Sequence, residues 1–310
     1  MNTSTPAFGR IWQSVPQVLR QPLQILVLAV TRWSDDRGPQ LGAAIAFYTM
    51  FAVAPLLVVA IAVAGAVFGE EAARGQIVGE IEGLVGQAAA KGIEAMIESA
   101  WRHPNGLWAS LLGMATLLVG ATGVFAELRR ALNTIARVPI RPSSALSTFV
   151  RARLIGFALV LGFGFLAIVS LLLSAVMAGL GAYLSSRYPA IAELMGVLDV
   201  LVSTAVLAAA FAALLRWLPE RRPSRLAVWS GALSSAVMFS VGKHLIGLYL
   251  VHASVASSYG AAGSFVVVML WVYYSAQILL LGGAVGAVVD EQFSPFHPAH
   301  GLPAQGHEPT

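Results

Sequence analysis

The sequence predicts an all-α polytopic membrane protein: a six-helix transmembrane bundle with an N-terminal interfacial helix and an external amphipathic helical segment. Three observations lead there. Of 310 residues, 57% are hydrophobic and only 11% charged, whereas a soluble domain carries about 25% charged residues. Six apolar stretches are long enough to cross a hydrocarbon layer, which takes about 20 residues. The basic residues fall into alternate connections between those stretches, as membrane insertion demands.

Taken in order, residues 1–34 form a cytoplasmic or interfacial segment. Ile11, Trp12, Val15, Val18, Leu19, Leu23, Leu26 and Val27 recur among arginines at helical spacing, the pattern of an amphipathic helix lying in the membrane surface. Its apolar run at Ile25–Val30 is too short for a cleavable signal peptide, and no small-residue cleavage site follows. Residues 35–290 form the transmembrane domain, with spans near 41–69, 107–127, 153–184, 194–218, 226–251 and 263–289. Residues 291–310 form a proline-rich tail without apolar periodicity, read as disordered.

Orientation follows from charge. Fourteen arginines precede span one or lie around the joints of spans two with three and four with five. Only Arg74, Lys91, Arg102 and Arg187 occupy the other connections. The positive-inside rule places both termini in the cytoplasm, and the chain is expected to be a multi-pass membrane protein. Topology alone accounts for these arginines, so the net charge of +4 predicts no nucleic-acid partner. The expected partners are membrane lipids, with homo-oligomerisation left open.

Residues 70–106 are the one sizeable external connection. Glu70, Glu71, Glu80, Glu82, Glu94 and Glu98 accompany Ile77, Ile81, Leu84, Val85, Ile93 and Met96 at helical spacing, which predicts amphipathic helices on the outer surface. A solvated helix face explains the glutamates without chemistry. Cysteine is absent, which excludes thiol catalysis and Cys-based metal sites. His297, His300 and His307 lie in the tail without metal-site spacing, and no metal or cofactor site is read.

Lys243, with His244 beside it, stands inside span five. Counting 1.5 Å per residue, Lys243 lies about 12 Å below the outer end of span five and Asp199 about 8 Å below that of span four. An unpaired charge there costs at least about 3 kcal/mol, so an Asp199–Lys243 pair is expected. It either fixes two neighbouring helices or lines a cavity that holds an anionic group; snorkelling of Lys243 to the outer interface is a third account, and a stretch at about 12 Å depth. Pro55 predicts a kink in span one near Met50–Phe51, with Tyr48 and Thr49 close by. Tyr259, before span six, and Trp271 and Tyr274 within it are further cavity-lining candidates, with core packing the competing account. Gly282 and Gly286 allow close backbone approach at the inner end.

Several stretches together resemble the YihY/BrkB family of bacterial inner-membrane proteins. They are AAIAFYTMFAVAPLL (43–57), ALNTIARV (131–138), RRPSRLAVWSGAL (221–233), VGKHLIGLYL (241–250) and YGAAGSFVVVMLWVYYSAQILLLGG (259–283). The resemblance covers about residues 35–290. It implies a six-span fold and no settled activity; the family once carried a ribonuclease BN label, and some members are associated with serum resistance or proposed to move lipids. The chain departs from the family at Leu281-Gly282-Gly283-Ala284, where alanine replaces the acid of the usual Gly-Ala-Glu.

The expected function is a transporter or flippase of a lipid or other amphiphilic anion. The alternative is a non-transporting envelope protein that acts through its external helices. No enzymatic role or catalytic residue is expected. A nuclease wants clustered carboxylates or histidines around metal, and Glu127 and Glu220 in arginine-rich surroundings are no such cluster.

Overall fold

A computed structural model describes residues 17–52, 90–95, 123–138, 190–252 and 263–293, with isolated helical positions between 71 and 82 and at 179. Among the described residues the chain is helical and contains no strand. The main helices are α1 (Gln17–Asp35), α2 (38–52), α3 (123–135), α4 (Ala190–Trp217), α5 (Arg225–His252) and α6 (Gly263–Phe293). Spans two and three, the bend at Pro55 and most of the external segment lie largely outside the described residues.

The outward surface of α5 shows what solvent this protein is built for. Leu226, Trp229, Leu233, Val237, Val241, Leu245 and Tyr249 are all exposed and stand on one stripe. The opposite stripe, buried, is made mostly of small residues: Ala227, Gly231, Ala232, Ser235, Ala236 and Gly242. A soluble helix puts its large apolar side chains inside. Here they face out and the small ones pack, as in helices associated within lipid. By length and composition, Val200–Trp217 of α4 and Phe265–Phe293 of α6 can cross a membrane.

The small stripe of α5 meets α6 in antiparallel rungs four residues apart. A Cβ on Gly231 would lie 2.5 Å from the Gly282 carbonyl oxygen, and one on Gly286 would lie 2.7 Å from that of Ala227. Next along, Ser235 Oγ donates to the Ile278 carbonyl at 3.4 Å. The glycines at 231, 282 and 286 are therefore required by backbone contact. Beyond them the seam widens into an aromatic stack. Phe211 of α4, Phe239 of α5 and Trp271 of α6 meet edge to face, with centroids 6.1 and 5.4 Å apart.

α1 packs on α6 near its C-terminal half. Adjacent residues Arg32 and Trp33 reach Glu291 and Gln277 respectively, which lie about 21 Å apart along α6 at 1.5 Å per residue. The two neighbouring side chains therefore diverge along α6. Gln277, buried inside the apolar run, is satisfied from this side. Its Oε1 accepts from Trp33 Nε1 at 2.9 Å, and its Nε2 donates to the Pro39 carbonyl at 3.5 Å.

Two boundaries differ from the sequence expectation. α3 continues past the expected end of span two at residue 127, because Leu128, Ala131, Leu132 and Ile135 give it a buried stripe. α6 continues to Phe293, past the boundary placed at 290. Asp290 and Glu291 in its last turn are tied to Ser224 and Arg32.

Candidate functional site

The turn between α4 and α5, residues 218–224, is held from three sides. Ser224 caps α5, its Oγ accepting from the Ala227 N–H at 3.2 Å, the standard use of serine at a helix start. Its own N–H donates to Asp290 Oδ1 at 3.0 Å. Asn133 Oδ1 accepts from the Glu220 N–H at 3.0 Å, and Arg129 Nη2 pairs with Glu220 Oε1 at 3.1 Å. Arg216 Nη1 donates to the Pro223 carbonyl. The ends of α3, α4, α5 and α6 are thus locked at one basic end.

Inside that junction is a cavity of about 480 Å³. Its floor is made of small residues (Ala227, Gly283, Gly286 and Ala287), and Arg32, Arg137, Arg221, Asp290 and Glu291 stand on its walls. Arg137 and Arg221 are exposed and form the rim, whereas Arg32 is only 7% exposed. Arg32 Nη2 bonds Glu291 Oε1 at 2.6 Å. Its Nη1 is buried without a hydrogen-bond partner among the described residues.

Arg137 holds its place at a backbone cost. The C-terminus of α3 closes with Arg137 N–H on the Thr134 carbonyl at 2.9 Å and Val138 N–H on the Asn133 carbonyl at 3.0 Å. This is the Schellman pattern, in which the left-handed residue is usually glycine. Here arginine has φ of 50° and reaches Asp36 Oδ2 at 3.4 Å. Arg37, with φ of 56°, repeats the oddity after α1.

The residues singled out in the sequence sit differently. Lys243 is half-buried on α5, about 23 Å along the helix from Val228 in the cavity lining. No ion pair is seen for it among the described residues. The side chains of Asp199 and His244 lie outside the described set, as do Pro55 and Tyr259. The Tyr274 hydroxyl fills the space beside Gly242, next to Lys243, which brings these two candidates to one level of α5 and α6. Trp271 is buried in the core against Phe239, and its Nε1 has no partner among the described residues. Tyr48 is exposed, edge-on to Phe47 at 5.7 Å and packed on Gly123 of α3. Among the described residues no group of three metal-capable side chains is found.

The Virulence factor BrkB family matches residues 29–304. The chain belongs to this family. Curated relatives agree with the BrkB assignment. A UPF0761 membrane protein of Ralstonia nicotianae is 27% identical over 84% of the chain and 57% of the relative. Another, from Azotobacter vinelandii, is 30% identical over 81% of the chain and 59% of the relative. A Bacillus subtilis protein whose name contains "ribonuclease-like protein YfkH" is 24% identical over 84% of the chain and 94% of that protein. The chain spans about three fifths of the length of the UPF0761 relatives. No solved structure matches it. As a BrkB-family chain with helices able to cross a membrane, it is a membrane protein.

Sequence reading missed Arg32 and Gln277 as polar groups held inside the fold. Gln277 had a usable signal: it is the only amide side chain in the run 263–289. Arg32 had none, since topology already accounted for it.

Proposed function

We propose that this BrkB-family protein handles an amphiphilic anion such as a lipid, as a transporter or flippase of the bacterial inner membrane. The observation that carries the reading is the arginine-walled cavity at the basic end, set among helices whose outer faces are apolar. A headgroup can enter such a cavity while its acyl chains stay along the α5 stripe. The reading includes six spans, cytoplasmic termini and an external segment at 70–106. Under it, Lys243 and Asp199 serve the outer half of the path and the cavity serves the inner half. The action is non-enzymatic.

The test is reconstitution of the purified chain into liposomes that contain phosphatidylglycerol with a fluorescent headgroup. Membrane-impermeant reductant then reports how fast the label crosses. Crossing faster than in protein-free vesicles is expected, with a slower rate for Lys243→Met. Crossing at the protein-free rate would leave the non-transporting envelope role as the better account.

A further inference from the structure

We propose that the cavity at the basic end is a binding site for a phosphate-bearing anion, with Arg32 as the buried ligand and Arg137 and Arg221 at its rim. The inference deepens the reading of an amphiphilic-anion handler and rests on it for biological context, although binding does not require transport.

Arg32 is the first support. Its guanidinium is held by Glu291 through Nη2 at 2.6 Å, which fixes the fork and leaves Nη1 buried on the cavity wall without a partner among the described residues. Buried guanidinium donors are normally all used. An oxyanion at Nη1 would supply the missing acceptor, and arginine's planar fork suits phosphate oxygens. Arg137 is the second support. A glycine would close the end of α3 without left-handed strain, so what the arginine adds is a guanidinium at the rim, partly balanced by Asp36.

The floor is the third. Ala227, Gly283, Gly286 and Ala287 put no bulky side chain on it, and the volume lies within the range of about 300–1,000 Å³ usual for small-ligand pockets. Asp290 and Glu291 also face the cavity and would repel an anion. Asp290 is engaged by the Ser224 N–H at 3.0 Å and Glu291 by Arg32, so each carboxylate already faces a donor. With Asp36 on Arg137, three guanidiniums face three carboxylates, so it is the unused Arg32 Nη1 donor that favours an anion over a cation.

The purified full-length chain in neutral detergent, titrated with inorganic phosphate against chloride at equal ionic strength, tests the site. A parallel arm places it in phosphatidylcholine nanodiscs with and without phosphatidylglycerol. Unfolding midpoint and intact-complex mass spectrometry are the readouts. Phosphate or phosphatidylglycerol should raise the midpoint. Arg137→Gly, which keeps the left-handed helix end, and Arg221→Ala, both at exposed side chains, should each weaken binding about tenfold, the effect of one lost charge-assisted hydrogen bond. A response to inorganic phosphate identifies a soluble phosphate ester as sufficient, and a response to phosphatidylglycerol alone identifies a lipid headgroup; both support the site. No response in either arm, or wild-type binding by both rim variants, overturns it. Loss of lipid crossing with binding intact would remove transport only, and the converse would remove this site only.

Discussion

Gly282→Ala tests the α5–α6 seam most directly. The added methyl would stand 2.7 Å from the Gly231 carbonyl oxygen and collide with Ser235 Oγ. The serine can rotate away, but the carbonyl belongs to a helix backbone and cannot. The helices must therefore part by several tenths of an ångström along a contact that the Ser235–Ile278 bond, already 3.4 Å, barely spans. Overpacking of this kind typically costs about 1–3 kcal/mol. The control is its neighbour: a methyl on Gly283 meets only Leu132 Cδ2 at 3.1 Å and Leu215 Cδ2 at 3.6 Å. Those are tips of side chains that can turn, so Gly283→Ala should stay within about 0.5 kcal/mol of the parent. Equilibrium unfolding in mixed micelles measures both. Equal stabilities, or a larger loss at 283, would refute a seam set by backbone contact.

Three further outcomes are expected. Lys243→Met and Asp199→Leu should each destabilise the protein by roughly 3–5 kcal/mol if the two charges pair in the membrane, and the double variant should regain much of that in detergent unfolding; strictly additive losses would dissolve the pair. Ser224→Ala should cost about 1 kcal/mol through the lost cap on α5, with Ser224→Thr close to the parent, as read by thermal unfolding. A cysteine at Gln87 should react with an impermeant maleimide in intact cells whose outer membrane passes the reagent; reaction only after the inner membrane is opened would invert the topology.

Much of the helical layout could be read from the sequence because long apolar runs leave few alternatives. Spans four, five and six were placed at 194–218, 226–251 and 263–289, against helices Ala190–Trp217, Arg225–His252 and Gly263–Phe293. The Gly282/Gly286 spacing likewise announced a close approach, although not that Ala227 and Gly231 would receive it. The cavity was hidden for a different reason. Its arginines come from positions 32, 137 and 221, in three segments where orientation in the membrane already demanded positive charge. A residue that satisfies one physical requirement gives no sign that it meets a second. Arg137 was harder still, since its left-handed backbone appears where glycine is the ordinary signal.

The size order on α5, with bulk outside and glycine, alanine and serine within, reverses the usual rule for mutational tolerance. In a soluble helix the buried stripe accepts only large apolar residues and the outer stripe accepts almost any polar one. Here Leu233, Val237 and Val241 should exchange freely among large apolar residues, while Ala232 and Ala236 should tolerate nothing bulkier than serine and Gly231 no side chain at all. Burial of oily surface cannot be what selects α6 as the partner, because the outer stripe is the oilier one. Shape makes the choice. A saturation library of α5 sorted for folded protein would therefore show two bands of opposite size preference, four residues in period, along one helix.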